Sequence, residues 1–288
     1  MKSEINPESR IEYFDQSPFQ VESSSIASSK HPEVNEDSVL ISDGLYGVLD
    51  GLGGHSNGSE ASSIAKETIQ DVFKNEETPK TIDQAKELVE LVLVEAHNEV
   101  LAKTIETHSD MSTTGAIVYI LQAPNKSKTA IIGSVGDSRV YHFHSGRLDQ
   151  VTLDDSSARN IYESEIIARR VQSALSNAKS YNDLDPSISY LFSKRNIVTQ
   201  ALGQREKHGT IHPRINTLNL ESSDILLICT DGVSDNCTDK EIEQIISQSL
   251  DRGEVVNNLL EHAQKVSREN NFRSKMDDMT AISIEVKQ

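Results

Sequence analysis

Cysteine, basic residues and long apolar runs are all scarce in this chain, and each scarcity excludes something. Its 288 residues include only two cysteines, Cys229 and Cys237. Neither has an arginine six positions on, where Asp235 and Glu243 stand, so a loop in which a cysteine thiolate attacks phosphorus is excluded. So few cysteines give no disulfide framework and fit a reducing compartment or simple indifference to redox state. Cys229 lies inside an apolar run and reads as a small core residue. Lys plus Arg number 28 against 45 Asp plus Glu, a formal net charge of −17. That balance argues against nucleic acid or an anionic membrane as partner, because both need clustered basic residues. No segment approaches the roughly 18 uninterrupted apolar residues of a membrane span. Residues 1–18 are polar and mixed in charge, without the apolar stretch of a secretory signal. They read as a leader, and a cytoplasmic protein is expected.

What the chain does have is carboxylates at the places where strands should end. Val34-Asn35-Glu36-Asp37, Val48-Leu49-Asp50-Gly51-Leu52-Gly53-Gly54-His55, Thr230-Asp231-Gly232-Val233-Ser234-Asp235 and Met276-Asp277-Asp278-Met279-Thr280 are spread over most of its length. Apolar runs precede the second and third and follow the fourth. A lone buried charge costs several kcal/mol or shifts its pKa. Several carboxylates delivered by separate strands therefore point to one shared cation site. An oxygen-rich, cysteine-free donor set favours hard ions such as Mg²⁺ or Mn²⁺ over zinc.

The periodicities predict one compact domain over 19–288. Strands are expected near Phe19, at Ser38–Ser42 and at Leu45–Leu49, followed by a helix over Ser59–Phe73 and a longer one over Ile82–Ile105. Ala85, Leu88, Val89, Val92, Leu93, Ala96, Val100 and Leu101 give the longer helix its apolar stripe. Three β-rich runs follow, Gly115–Gln122, Thr129–Val135 and Arg139–His144, the last turning at Ser145-Gly146 into Arg147–Val151. Residues 155–196 are polar and helix-prone and read as a lid or substrate-facing insertion. Strands return at Thr217–Leu220 and Ile225–Cys229, then helices at Asp239–Ser249 and Glu254–Asn270, then a strand at Thr280–Val286. Strands, then helices, then strands again argue for an α+β fold rather than a parallel βαβ sheet. No coiled-coil seam is present, and a monomer is expected.

Asn35-Glu36-Asp37, Asp50-Gly51-Leu52-Gly53-Gly54, Met111-Ser112-Thr113-Thr114-Gly115, Val135-Gly136-Asp137-Ser138-Arg139, Thr230-Asp231-Gly232 with Asp235, and Asp277-Asp278-Met279-Thr280 form an ordered series. Together they resemble the metal-dependent PP2C-type (PPM) serine/threonine phosphatases, over roughly residues 20–286. Any one motif alone is weak, since Asp-Gly pairs are common turn signals. The resemblance implies a central sandwich of two antiparallel β-sheets flanked by helices on both faces, with two Mn²⁺ or Mg²⁺ ions at one end. Position by position, it makes Asp50 the carboxylate bridging both ions and Gly51 a carbonyl ligand. Asp231 and Asp277 would ligate one ion, and Glu36 and Asp37 would act through water. Asp137 and Asp235 match the ligands of a third, looser ion in bacterial members. The implied reaction is hydrolysis of phosphoserine and phosphothreonine on a phosphorylated protein, with no phosphoenzyme. Two ions about 3.5–4 Å apart can lower the pKa of a water and aim it in line.

Two departures stand out. Many relatives carry a phosphate-clamping Arg four residues before the Glu of the first motif, where this chain has Pro32. Lys30 or His31 can stand in, although a lysine is a point charge rather than a bidentate fork. After Asp-Gly, Leu52 replaces the general-acid His of eukaryotic relatives, and His55 follows the glycine pair as in bacterial ones. His55 is a candidate at the phosphate, though it reads more simply as a loop residue. Arg139 reads as a structural ion pair, Thr113 and Thr114 as residues packing beneath the site, and Asp154-Asp155 as a helix start. His142 and His144 share one strand face, but with no third ligand nearby in sequence they read as exposed. Two other readings stand beside the phosphatase. One is a catalytically weak regulatory module of the same fold, favoured by Pro32. The other is an aspartyl-phosphate hydrolase of the haloacid dehalogenase type, which lacks its Asp-x-Asp because Asp50 is followed by Gly51-Leu52.

Overall fold

A computed structural model describes residues 12–16, 18–53, 56–205, 210–250 and 253–287. His55 lies outside the described residues. The strands are β1 (Glu12–Gln16), β2 (Phe19–Ile26), β3 (Asp37–Ser42), β4 (Leu45–Leu52), β5 (Ser112–Thr113), β6 (Gly115–Gln122), β7 (Lys128–Val135), β8 (Arg139–His144), β9 (Arg147–Gln150), β10 (Arg214–Leu220), β11 (Ile225–Cys229) and β12 (Met279–Val286). The helices are α1 (Ser56–Asn75), α2 (Ile82–Glu106), α3 (Glu165–Asn177), α4 (Asp231–Ser234), α5 (Asp239–Ser249) and α6 (Val255–Ser267).

The strands make two antiparallel sheets. One runs β1-β2-β12-β11-β8-β9, and the other β10-β7-β6-β4-β3 with β5 paired to the end of β4. β6 shows why they stack. Its Ala116, Val118 and Ile120 face the opposite sheet, meeting Val140, Leu226, Ile228, Ile282 and Ile284. Its alternate residues Ile117, Tyr119 and Leu121 face α1 and α2. With apolar side chains on both faces, a strand must be covered twice, and each full burial of a Val, Leu or Ile contributes about 1.5–3 kcal/mol. The other sheet is capped on its outer face by α5 and α6 through Ile242, Ile246, Val256, Leu259 and Leu260. The result is a helix–sheet–sheet–helix stack, the α+β sandwich expected from the sequence.

Local chemistry fixes the ends of the elements. Thr81 caps α2 by accepting from the Gln84 N–H. Thr238 and Glu241 form a reciprocal capping box at the start of α5. Ser145 and Gly146 both have positive φ, 50° and 80°, which suits the tight turn between β8 and β9.

Three expectations are corrected. Glu12–Gln16, inside the stretch read as leader, pairs with β2 as an edge strand. Asp154-Asp155 starts no helix: α3 begins at Glu165, after Ser164. Both carboxylates are instead consumed by arginines, Asp154 by Arg139 and Asp155 by Arg214. The histidine face of β8 is not an open surface either, because His142 and His144 both bond to the buried Asp224.

Residues 156–198 leave the sandwich between two ties, Asp155 N–H to Gly136 O and the Ser156–Val198 bridge. This flap has its own small core of Ala158, Val171, Leu175, Leu184, Leu191 and Phe192, with Phe272 stacked on Phe192. Arg273, buried, fastens it down by donating to the carbonyls of Leu175 and Ala178 on one side and Ser234 on the other.

Candidate active site

The register of the sheets brings the acidic motifs to one end of the sandwich. Asp37 opens β3 and stands directly opposite Asp50 near the end of β4, a separation of about 4.5–5.5 Å between Cα atoms. Thr114 and Thr113 hold the Asp50 backbone: its N–H donates to Thr114 Oγ1 (3.1 Å), and its carbonyl accepts from Thr114 N–H and Thr113 Oγ1, both 2.8 Å. These two threonines therefore fix the carboxylate from below, as their place before β6 led us to expect. Asp231 opens α4 and Asp235, four residues on, caps its end in helical conformation, so the two share one face. Thr230 and Thr280 exchange bonds between β11 and β12 and so place Asp231 beside Asp277.

Two glycines are required by close approach. A Cβ on Gly51 would sit 2.2 Å from Gly58 O and 2.6 Å from Glu36 O. A Cβ on Gly232 would sit 1.8 Å from Asp278 O. Any side chain at either point would push the acidic loops apart.

The residue that sequence reasoning missed is Lys275. Its ammonium lies among the carboxylates, in contact with Asp231 Oδ2, 2.9 Å from Asp277 Oδ2 and 3.3 Å from Asp235 Oδ2. Asp137 and Asp50 lie close enough to act on the same charge. The only sequence signal was a basic residue two positions before the Asp277 motif. A second missed cation is Arg195 from the flap, whose Nε is 3.4 Å from Asp235 Oδ1 and whose guanidinium stacks on Phe192 at 3.8 Å.

The electrostatics follow from crowding. Burial pushes the carboxyls of Asp37, Asp50 and Asp137 well above the ordinary range, and neighbouring carboxylates add repulsion. Asp231 is pushed up to about 6 by burial against the pull of Lys275. Asp235 moves the other way: burial is outweighed by Lys275, Arg195, Arg139 and Arg273.

Asp278 has a different task from Asp277. Its Oδ1 accepts from Ser28 N–H and its Oδ2 from Glu36 N–H, both 2.6 Å. It thereby anchors the loop that carries Glu36, Lys30 and His31. His31 Nε2 stands 3.9 Å from Glu36 Oε2, and His31 Nδ1 stands 3.7 Å from Asp278 Oδ1, so this histidine is gathered to the edge of the cluster. Lys30 is exposed and shows no ion pair with the cluster among the described residues. Pro32 lines a cavity of about 220 Å³ with Ser28, Gln264, Arg268 and Asp277, and Arg268 is its one arginine among the described residues. Arg139 is a buried structural pair, holding Asp154 in a fork (Nε–Oδ1 3.0 Å, Nη2–Oδ2 2.7 Å) and reaching Ser176 on the flap.

Comparison with known proteins agrees with this geometry. The family model for protein phosphatase 2C matches residues 30–279. The serine/threonine phosphatase stp of Listeria monocytogenes is 24% identical over 225 residues, 78% of this chain and 80% of the relative. Among solved structures, the serine/threonine phosphatase Stp1 of Staphylococcus aureus superposes with a TM-score of 0.71 at 21% identity, covering 93% of this chain and 95% of that one. The catalytic domain of the phosphatase PstP, in complex with two manganese ions, superposes at 0.68 with 20% identity, covering 94% and 99%. A sandwich whose strand ends converge on aspartates defines a metal-dependent phosphoric monoester hydrolase. The chain belongs to the protein phosphatase 2C (PPM) family, in its bacterial form.

Proposed function

We propose that this chain hydrolyses phosphoserine and phosphothreonine monoesters on protein substrates, with two Mn²⁺ or Mg²⁺ ions held by Asp50, Asp231, Asp277 and the Gly51 carbonyl. One observation carries the reading: Asp50, Asp137, Asp231, Asp235 and Asp277 gather around the single ammonium of Lys275. Lys275 and, at Asp235 alone, Arg195 do not balance that many carboxylates in so enclosed a place, and divalent ions do. The donors are all oxygen, which fits hard ions. Asp231 Oδ1 is buried with no hydrogen-bond partner among the described residues, so it has lone pairs to offer. When bound, such ions supply Lewis acidity toward the phosphoryl oxygens and acidify a water.

The chain's own residues do the positioning. Thr113 and Thr114 fix Asp50, Asp278 fixes the loop of Glu36, and Glu36 and Asp37 would act on the ions through water. Asp137 and Asp235, the latter now paired with Lys275 and Arg195, would hold a third ion. Lys275 holds the carboxylates together and stands where bound ions would sit. Arg268, sharing the Pro32 cavity with Asp277, takes the substrate phosphate in place of the missing arginine. No protein nucleophile is needed. Cys229 and Cys237 are fully buried, and burial pushes the Cys229 thiol up to about 12 and that of Cys237 above its ordinary value as well. The flap exposes Ile161, Ile166, Ile167, Tyr181, Tyr190 and Ile197, an apolar surface suited to the peptide around a phosphoresidue.

The test is hydrolysis of a phosphothreonine peptide by chelator-stripped protein, with Mn²⁺ or Mg²⁺ added back, for wild type and Asp231→Asn. Metal-dependent turnover that vanishes in the variant supports the reading. Mn²⁺ binding by calorimetry without any turnover would overturn it in favour of the regulatory module, with Pro32 as the lesion.

A further inference from the structure

At the end of the sandwich away from the acidic cluster, β8 and β11 bring a different set of donors together. His142 Nε2 lies 2.9 Å from Asp224 Oδ2, and His144 Nδ1 lies 2.5 Å from Asp224 Oδ1. The two imidazoles are stacked, with centroids 5.6 Å apart and planes at 28°. One nitrogen from each and a carboxylate oxygen all fall within 4.8 Å of one another. We propose that His142, His144 and Asp224 form a second metal site, for a borderline divalent ion of the zinc class, separate from the oxygen-only site.

Asp224 is 2% exposed, so its charge is one the fold must neutralise. Its position is fixed: Oδ2 accepts from Glu221 N–H at 2.9 Å, and its carbonyl accepts from Val286 N–H at 2.9 Å. The histidines are fixed by register, because β8 pairs with β11 so that His142 stands opposite Leu226. Two imidazoles and one carboxylate match the donor preference of zinc and its neighbours rather than of Mg²⁺ or Mn²⁺. Zinc bonds of roughly 2.0–2.1 Å in a tetrahedron put ligand atoms roughly 3.3 Å apart. The three donor atoms lie within 4.8 Å of one another, so closing to that spacing takes at most about 1.5 Å, and His144, at 44% side-chain exposure, has room to move. On binding, each ring would present the nitrogen that now faces Asp224 as a lone pair, keeping its N–H on the other nitrogen and releasing any second proton to solvent, while Asp224 would exchange its two imidazole bonds for the ion and keep the one from Glu221 N–H. Glu221, in the same turn, is exposed. Asp224 and Asp231 are seven residues apart along β11 and its continuation, roughly 20 Å at strand rise, so the two sites share no ligand. The ion would pin β8 to the turn between β10 and β11.

Zinc titration against a chromophoric chelator, with millimolar Mg²⁺ filling the oxygen site, tests this. Wild type should take up one equivalent of Zn²⁺ and unfold at a higher temperature with it. His144→Ala and Asp224→Asn should each weaken that uptake at least about tenfold, the lower end of what even an outer-shell partner is worth, and lose the thermal shift. Mn²⁺-dependent phosphatase activity should be unchanged in His144→Ala. If Asp224→Asn fails to fold, the half-exposed His144→Ala carries the test alone. Wild type taking up no Zn²⁺ in the presence of Mg²⁺, or His144→Ala binding as tightly as wild type, would overturn the proposal.

Discussion

β8 and β11 lie side by side and carry a polar cluster at each end. Where β11 runs into Asp231 and β8 begins after Asp137, the cluster is all carboxylate, with Lys275 set among the acids. Where β11 begins after Asp224 and β8 ends at His144, the cluster is two imidazoles around one carboxylate. The same antiparallel register builds both, so the donor type at each end, not the scaffold, decides which ion each can hold. Crowded carboxylates raise one another's pKa and call for a hard divalent ion. A single buried carboxylate shared by two histidines is already balanced and has room for one softer ion.

The two ends also differ in how well the sequence announced them. Asp50, Asp231 and Asp277 were legible because each sits in a short contiguous motif beside an apolar run. Their place at strand ends was equally legible. Asp224 was not, since it lies about 80 positions from its histidines and only the β8–β11 register joins them. Lys275 and Arg195 were missed for the same reason: a basic residue in sequence says nothing of which carboxylates it will meet. Asp154 and Asp155 were misread because their partners, Arg139 and Arg214, outbid the helix-capping role that local sequence favours. The strand at Glu12–Gln16 was hidden because an edge strand needs no continuous apolar run.

Breaking the acidic end should have the largest effect. Asp50→Asn should lower kcat/KM by more than about 100-fold, beyond what an outer-shell partner is worth, measured with a phosphopeptide at saturating Mn²⁺. Next is Lys275→Met. Removing one member of a buried ionic cluster costs on the order of 3 kcal/mol, so the metal-free protein should melt well below wild type. The same variant should bind Mn²⁺ more tightly, because no ammonium must be displaced. Calorimetry with and without metal reads both effects. Arg268→Ala should raise KM for a phosphopeptide by about tenfold with kcat nearly kept, the value of one charged hydrogen bond of about 1.5 kcal/mol.

The smallest effect is the reference for both ends. Glu241 sits in the capping box of α5 and pairs with Lys179 at 2.7 Å, outside either cluster. Glu241→Ala should cost about 1 kcal/mol and leave metal binding untouched. Burial would raise its carboxyl, but Lys179 and Thr238 outweigh it and hold the group down at about 2. Its contribution is therefore present above the ordinary glutamate range and is lost as pH falls toward 2, which acid titration of stability in wild type and variant would show.

Anomalous diffraction from crystals grown with Mn²⁺ tests the central claim most directly. The account predicts manganese peaks in contact with Asp50, Asp231 and Asp277, with the Lys275 ammonium withdrawn from among them. Lys275 still seated between Asp231 and Asp277, with no manganese at Asp50 in crystals that turn over substrate, would contradict it.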